Sequence, residues 1–437
     1  MAIGTLRALT DAQVSAQSIA SFLTPDPQPM TCEGVVISDV EWFKLSQGPA
    51  RRQGWFQITQ IRQGDCWIPA QGQVWTRFPT MGSALSYGDR LRLHGSIRGP
   101  HPILENGEEK EGRRFNEGNW LWIHGASGIL TITGSEAITG LDTVPSLWIR
   151  YRRWAASFRW QLKQLGRSLL DPLEVAYLEA FLLGNGQGIP RETWDAFKKS
   201  GTVHVLVVSG QHVSLIGYIA FVLLSIVRVP RTFRYLLASV ILIIYCTLTG
   251  GNPPILRSTI MGILLCIGMM QGRPVSPLNS LGLAALLILA ITPRALADVS
   301  FQLSFASVLG LFTLSPLFAK RLKVSREKET ESPFQRWSKT VWQWIGRGLA
   351  VSCGAWMAVF PVIAWHFRML TPIALAANLV IVPWASGVIV MGFLVYAVGW
   401  ISPLAAAPFA ASFSWLVFGL NHGVTRLADL PGAYWNW

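Results

Sequence analysis

The feature that most constrains this chain is a series of apolar segments after Thr202, each long enough to cross a lipid bilayer. A helix needs about 20 mainly apolar residues to span the hydrocarbon core. The sequence therefore predicts a polytopic α-helical membrane bundle of about eight spans over residues 203–423, two or three of them broken or re-entrant, followed by a tail at 424–437. The segments cover residues 203–227, 233–249, 253–271, 276–293, 296–318, 341–365, 372–400 and 403–423.

The distribution of charge agrees with this prediction. Only 14% of the 437 residues are charged, against about 25% in an average soluble protein. The last 235 residues hold 16 Lys and Arg but 5 Asp and Glu, so they carry +11 of the net charge of +13. Loops after odd-numbered spans hold 11 of these cations, and the other loops hold Arg294 and Arg368. Because cytoplasmic loops are enriched in Lys and Arg, we expect the first set of loops in the cytoplasm.

The part of the chain before the spans has a different pattern. Residues 1–30 are polar and lack the apolar core of a signal peptide or membrane anchor. Residues 31–135 contain five short β-branched and aromatic runs separated by glycines, with a charged loop at about 105–117 as a candidate tip. Such runs are typical of a small all-β barrel or sandwich. The loop charges predict that this β domain lies on the extracytoplasmic side.

Residues 146–187 place Trp, Leu and Phe against Arg and Lys at roughly helical spacing. This pattern is typical of amphipathic helices in the headgroup plane of a membrane. The alternative is an amphipathic helix packed on the β domain. The arginines at about 150–167 oppose the predicted orientation unless they contact phosphates of the outer leaflet.

Cysteine and histidine spacing limits the chemistry. The five cysteines form no metal-ligand pattern, and the seven histidines form no metallohydrolase cluster. The sequence contains no P-loop motif either, so we expect no metal, no cofactor and no enzymatic activity of these kinds. Cys32 and Cys66 are a possible disulfide if their domain faces an oxidising compartment, although spacing alone does not show that they meet.

The first span is interrupted near its middle by Ser209, Gly210, Gln211 and His212. Irregular backbone at membrane depth is tolerated where it is buried in protein or lines a water-filled cavity. The interruption therefore favours a cavity, and the alternative is a kink eased by the glycine with the serine bonded to the preceding turn. His204 lies eight residues before His212 and makes a poor metal pair with it.

Three other spans also contain polar groups. Asn252 precedes the third span and Arg257 lies one turn inside it, where it either snorkels to headgroups or faces an anion. In the fifth span Asp298 is interpreted as a helix N-cap, while Gln302 and Ser304 lie deeper and need a partner or water. Asn378 precedes Pro383 in the seventh region, which predicts a discontinuous helix. One polar path explains these four spans together better than four unrelated kinks.

Four segments resemble the ComEC-type competence proteins, which are regarded as inner-membrane channels for transforming DNA. HVLVVSGQHVSLI is similar to the family's H-L-L-A-x-SG-x-H-V signature, and PPILRSTIM to its PP-x-x-x-R segment. DVSFQLSFASVLGL is similar to D-x-x-FQLSF-x-x-x-LGL, and HFRMLTPIALAANLVIVP to HF…N-x-x-x-x-P. The four occur in the family's order between Glu174 and Pro383. The segment with LSYGDRLRLHGSI looks like the family's external OB-type domain with lower specificity.

The resemblance implies a multi-pass channel of the inner (cytoplasmic) membrane for single-stranded DNA, working in the lipid bilayer. The implied partners are a competence DNA receptor and a cytoplasmic helicase or strand-binding protein. Family members usually begin with membrane helices and many end in a metallo-β-lactamase-like domain. Neither pattern occurs in this sequence, so we expect a separate nuclease. The predicted channel-lining residues are His204, Ser209, Gly210, Gln211, His212, Asn252, Arg257, Gln302, Ser304, His366 and Asn378.

Two other functions remain open from the residues alone. An intramembrane serine hydrolase would use Ser209 with His212 or His366, although no orienting carboxylate can be named for the base. A small-solute secondary transporter would also contain broken helices, but the scarcity of intramembrane carboxylates argues against proton coupling.

Overall fold

The computed structural model describes residues 18–43, 51–79, 85–100, 117–141, 145–322 and 333–436. The chain divides into two compact units, Met1–Ser157 and Phe158–Trp437. The first unit is mainly β, and the second is a bundle of long apolar helices. The predicted fold class, a polytopic helical membrane bundle preceded by a small β domain, is confirmed.

The first unit is built around a closed ring of five strands. β1 pairs with β3 and β5, and β4 pairs with β3 and, in parallel, with β6. β6 also pairs with β5, so the ring closes. This five-stranded barrel, with one parallel pair among antiparallel pairs, has the architecture of an OB-type domain. The strands are β1 (Gln28–Val36), β2 (Glu41–Phe43), β3 (Arg51–Gln63), β4 (Cys66–Phe78), β5 (Arg90–Arg98), β6 (Ala126–Thr131) and β7 (Ile138–Leu141).

Alternating apolar residues of these strands fill the barrel. Phe56, Val74 and Leu93 are fully buried there, as is Ile19 from a short 3-10 turn before β1. A Cβ at Gly34 would lie 2.0 Å from the Gln57 carbonyl, so the bulge in β1 requires glycine for its close strand contact. Ile19 and β1 belong to the barrel. The predicted boundary between a polar segment 1–30 and the β domain is therefore wrong, because the β domain already includes residues from 18 onward. Residues 1–17 and most of the charged loop 105–117 lie outside the described residues.

An aromatic cluster covers one face of the barrel. Trp55 of β3 lies opposite Trp75 of β4 with ring centroids 4.6 Å apart. Trp120 of helix α1 (Glu117–Ile123) stacks on Trp55 at 5.5 Å. Residues 121–123 complete this helix, because Trp120 and Leu121 pack their apolar faces on the sheet.

The two cysteines of this unit are free, so the predicted Cys32–Cys66 disulfide is not formed. Cys32 pairs with Ile61 of β3, and Ile61 pairs with Ile68 of β4, so two strand spacings separate Cys32 from the strand that holds Cys66. Cys32 is buried in the barrel while Cys66 is exposed at the start of β4. Neither the separation nor the opposite environments permit the geometry of a disulfide.

The second unit contains long apolar helices in the order that hydropathy predicts. Six helices in the described part of the chain are long and apolar enough to cross a membrane, when Val299–Arg321 is counted as one helix. Gly210–Ile226 and Pro277–Ile291 are shorter apolar helices. The helices are α2 (Leu147–Leu169), α3 (Pro172–Leu183), α4 (Arg191–Lys199), α5 (Val203–Leu206), α6 (Gly210–Ile226), α7 (Arg231–Leu248), α8 (Pro253–Met270), α9 (Pro277–Ile291), α10 (Val299–Thr313), α11 (Ser315–Arg321), α12 (Pro333–Phe367), α13 (Ala374–Ile401) and α14 (Pro403–Ala428).

Helices α2 and α3 divide the predicted interfacial segment 146–187. Helix α2 contains no carboxylate and exposes Trp148, Trp154 and Trp160. Helix α3 differs, because its residues from Val175 to Leu183 are all buried in the core against α13 and α14. The prediction of an interfacial helix is therefore wrong for α3, whose sequence is mainly apolar and contains no basic residue.

Helix α13 continues through Pro383 without interruption. The prediction of a discontinuous helix in the seventh region is therefore wrong. A proline inside a helix removes one backbone hydrogen bond, and packing against neighbouring helices tolerates this in a membrane bundle. The predicted tail also has structure, since α14 extends to Ala428 and β9 (Trp435–Asn436) pairs with β8 (Met369–Leu370).

Candidate functional site

The first span is interrupted at its predicted polar residues. Helix α5 ends at Leu206, and α6 begins at Gly210 after three non-helical residues. Ser209 is the N-cap of α6, and its backbone N–H donates to Nδ1 of His212 at 3.1 Å. A ring nitrogen that accepts this bond carries no proton, so neutral His212 holds its proton on Nε2.

The Nε2 atom of His212 is buried without a hydrogen-bond partner among the described residues. The residue is 1% exposed, and the ring of Phe181 lies 6.0 Å away. A buried donor without an acceptor costs free energy unless water or a ligand supplies one. This group is therefore free to donate to a molecule that enters the bundle.

Gln211 connects the start of α6 to α13. Its Nε2 donates to Oγ of Ser386 at 2.6 Å and to the carbonyl oxygen of Val382 at 3.4 Å. Val382 directly precedes Pro383 and Ser386 follows it by three residues, in the turn where the helix has lost a backbone donor. The polar side chain thus fixes the interruption against the proline turn of a second helix.

The start of α6 also contacts α8. A Cβ on Gly210 would lie 2.7 Å from Oγ of Ser258 and 3.1 Å from Nη2 of Arg257. Glycine at this position therefore lets the first turn of α6 approach the guanidinium closely. Arg257 also connects α8 to a third helix, α10. Its guanidinium lies over the ring of Phe305 at 5.9 Å.

Arg257 is 5% exposed, so it does not snorkel to headgroups. Its Nη2 donates to Oγ of Ser258 at 3.2 Å, and its Nε has no partner among the described residues. In the described part of the chain after Thr202, the carboxylates are Asp298 and Asp429. Asp298 accepts from the backbone N–H of Ser300 at 2.8 Å and caps α10, as predicted.

A second polar pair joins α10 and α12. Oε1 of Gln302 lies 3.3 Å from Nε2 of His366, and Nε2 of Gln302 donates to the Leu296 carbonyl at 2.9 Å. The hydrogen bonds of Gln302 are thus directed to residues other than Ser209 and His212. Two more predicted residues, Ser304 of α10 and Asn378 of α13, have side-chain oxygens that are buried without a partner in the described structure.

The predicted lining residues therefore form one connected set and several separate groups. The connected set comprises Ser209, Gly210, Gln211, His212 and Arg257 on α6 and α8. Asn252, at the N-cap of α8, and His204 are both exposed. Sequence inspection missed the contacting residues Ser258, Phe305 and Ser386, because a serine or phenylalanine in an apolar helix is usually a packing residue.

Comparison with known proteins places the polar break within a matched region. A family model described as "Competence protein" matches residues 181–437. ComE operon protein 3 of Bacillus subtilis is 26% identical over 277 residues, which is 63% of this chain and 33% of that protein. Competence protein ComA of Neisseria gonorrhoeae is 22% identical over 312 residues, which is 67% of this chain and 42% of that protein.

A further similar protein is Recombination protein 2 of Haemophilus influenzae, 25% identical over 185 residues, or 40% of this chain and 23% of that protein. The chain spans between about a quarter and two fifths of the length of these named relatives. No solved structure matches the chain. Because the family model covers more than half of the residues and includes the α6 break, the chain belongs to the competence protein family.

Proposed function

We propose that this protein forms the membrane part of a conduit that carries single-stranded DNA across the cytoplasmic membrane during natural competence. The observation that carries the proposal is the interrupted first span, whose polar start is held inside the bundle by α8 and α13. Broken helices of this kind surround the substrate path in membrane transporters, where backbone and polar side chains replace water.

The composition of the connected set suits a strand in transit. A single strand needs a hydrated passage, a few cations for its phosphates and aromatic faces for its bases. One buried guanidinium, serines, an amide and an imidazole supply weak contacts in series. A conduit must release what it binds, so a sparse polar lining favours passage over retention.

The names of the relatives support the biological context. One is named as a competence protein, one as a protein of the ComE operon and one as a recombination protein. The chain matches a minor part of each, so the complete process requires further polypeptide segments. We propose a DNA receptor, a cytoplasmic helicase or strand-binding protein, and a separate nuclease as partners. The chain itself requires no cofactor for this role.

The proposed orientation follows from the loop charges. Arg228, Arg231 and Arg234 lie in or beside the turn between α6 and α7, whereas the turn between α7 and α8 contains no cation. Cytoplasmic loops carry the excess of Lys and Arg. We therefore propose that the α6–α7 turn faces the cytoplasm and that the β barrel faces the outside.

Cross-linking of a stalled strand tests the conduit. In a variant without the five native cysteines, Ser209→Cys is compared with Leu223→Cys, a matched position on α6 whose side chain is 56% exposed. Competent cells receive DNA that contains 4-thiothymidine and ends in a bulky group. We expect this DNA to cross-link to the Ser209→Cys variant and not to Leu223→Cys, and a charged thiol reagent to modify the Ser209→Cys variant only.

The same variants distinguish the other functions. Equal cross-linking at both positions, or at neither while uptake continues, would contradict a path along the α6 break. A hydrolase deserves a direct test, because Oγ of Ser209 lies 3.3 Å from Nδ1 of His212. That nitrogen already accepts the Ser209 backbone N–H, which is the geometry of a helix cap. We expect no labelling of Ser209 by a fluorophosphonate probe.

A further inference from the structure

The Arg257 guanidinium is the buried cation of the α6–α8 contact, and it has no internal counterion in the described part of the chain. An arginine does not lose its proton in a protein, so burial leaves a full positive charge in the bundle. A buried charge is normally paired or hydrogen-bonded throughout. The buried carboxylate Glu179 contacts Lys163 and Arg167 instead.

The N-terminus of α6 adds a second source of positive potential at the same place. Helix α6 is 17 residues long, and its first residue, Gly210, lies against Nη2 of Arg257 and Oγ of Ser258. The first backbone N–H groups of a helix lack intrahelical acceptors, and the helix dipole favours an anion there. The Ser258 hydroxyl donates to the Pro254 carbonyl at 2.8 Å and accepts from Arg257, so it positions the guanidinium beside the helix N-terminus. The guanidinium and the N-terminus thus converge on one small volume.

We propose that Arg257, positioned by Ser258, and the N-terminus of α6 form a binding site for one tetrahedral oxyanion, and that its occupant is a phosphodiester group of a DNA strand. The identity of the occupant depends on the proposed function, whereas the anion site itself does not. The guanidinium fork matches the geometry of phosphate oxygens. The Phe305 ring lies 5.9 Å from the guanidinium carbon, within the range of a cation–π contact. One phosphate is held at a time, so a strand advances by exchanging neighbouring phosphates at the site.

The salt dependence of strand binding tests this site. The full chain is placed in nanodiscs of neutral phosphatidylcholine, and the affinity for a labelled oligothymidylate is measured from low to high salt. Each phosphate contact on a single strand adds about 0.7 to the slope of log affinity against log salt. We expect Arg257→Gln to reduce the slope by about 0.7 and the affinity about fivefold in ~0.1 M salt. Arg257→Lys should restore the slope.

A matched control excludes a general charge effect. Arg273 is exposed in the loop after the same helix, so Arg273→Gln removes the same charge outside the proposed site. We expect this variant to bind with the wild-type slope. An unchanged slope in Arg257→Gln, or an equal reduction in Arg273→Gln, would overturn the site. If Arg257→Gln does not fold, Gly210→Ala replaces it, because its Cβ occupies the space beside Nη2. An unchanged slope in Gly210→Ala would likewise overturn the site.

Competitors identify the occupant. We expect inorganic phosphate to compete with the strand in the wild type and not in Arg257→Gln. If phosphatidylglycerol in the nanodisc abolishes the Arg257-dependent part of binding, a lipid headgroup is the occupant and the strand assignment is overturned.

Failure of the proposed function has a different result. In that case the Arg257-dependent slope is present, but DNA in transit does not cross-link to the Ser209→Cys variant. Cross-linking to Ser209→Cys with an unchanged slope in Arg257→Gln would overturn the anion site alone.

Discussion

Two arginines, one in each unit, have opposite surroundings. Arg92 in the barrel lies 5.0 Å from the ring of Trp67 and donates to Oε1 of Glu33 through Nε at 2.9 Å and Nη2 at 2.7 Å. Arg257 in the bundle lies 5.9 Å from the ring of Phe305 and donates to the hydroxyl of Ser258. The two guanidiniums therefore share an aromatic contact and differ in the presence of a carboxylate.

This difference separates a structural arginine from one that is ready for a ligand. The Arg92 side chain is 45% exposed, and its ion pair needs no further anion. Arg257 is 5% exposed and keeps unused donors in a medium of low dielectric constant. A carboxylate next to Arg257 would stabilise the folded bundle and reduce its affinity for an anion, so its absence among the described residues supports the proposed anion site.

Providing Arg257 with a carboxylate has the largest expected effect. In Ser258→Asp the new side chain replaces the hydroxyl that lies 3.2 Å from Nη2. The resulting ion pair occupies the guanidinium, so we expect DNA uptake to fall about thirtyfold, or about 2 kcal/mol. Uptake of labelled DNA is measured at equal protein level in the membrane.

Ser258→Asn is the neutral control for this change, because it has nearly the same shape as aspartate without the charge. We expect its uptake to stay within about threefold of the wild type, since an amide supplies a hydrogen bond and leaves the cation free. Equal losses in both variants would mean that steric fit at α6, not the charge of Arg257, limits uptake.

Removing the carboxylate from the barrel arginine has the next largest effect, and it acts on stability. We expect Glu33→Gln to reduce the free energy of unfolding of the barrel by about 1.5 kcal/mol, because two charge-assisted hydrogen bonds are lost and Arg92 is half exposed. The buried Cys32 thiol reports barrel opening through its rate of labelling in urea, measured by mass spectrometry.

The exposed ion pair of the same unit provides the comparison. Asp65 is 99% exposed and pairs with Arg62 three residues earlier at 3.0 Å. Asp65→Asn should leave the Cys32 labelling profile unchanged, since exposed pairs contribute little. If Asp65→Asn destabilises the barrel as much as Glu33→Gln, net charge and not the Glu33–Arg92 bond controls its stability.

The spans, the α6 break and the Asp298 cap were predictable from the sequence because each depends on local composition. Ser209, Gly210, Gln211 and His212 separate two apolar runs, so the sequence leaves few other positions for the break. Asp298 precedes a helix, where a carboxylate accepts a backbone N–H. The closed barrel was predictable only as a class, from alternating runs and glycines.

Long-range contacts account for what sequence inspection missed. Gln211 bonds to Ser386 across 175 residues, and Arg257 of α8 meets Phe305 of α10, with α9 between them in the chain. Periodicity along one helix contains no information about such partners. Pro383 shows the reverse error, because a strong local helix breaker was overridden by packing around α13. The apolar sequence of α3 follows the basic sequence of α2, and both were assigned to the membrane interface. The burial of α3 in the bundle shows that it does not lie there.

The smallest predicted effect concerns pH, and it uses the residue next to Glu33. Burial, and secondarily the Glu33 carboxylate, raises the pKa of the Cys32 thiol to about 12 from an ordinary value of 9.0. The folded barrel therefore keeps the thiol protonated at a pH where the unfolded chain loses the proton. The stabilisation is complete below pH 9.0 and is lost as pH rises toward 12.

At pH ~9.5 the free energy of unfolding should fall by about 0.8 kcal/mol. Pulse proteolysis in urea measures this loss as the difference between the wild type and Cys32→Val, whose other titrating groups are the same. The wild type and Cys32→Val are compared between pH ~7.5 and ~9.5. If the wild-type barrel loses no more stability than Cys32→Val, the Cys32 thiol ionises as readily in the folded barrel as in the unfolded chain.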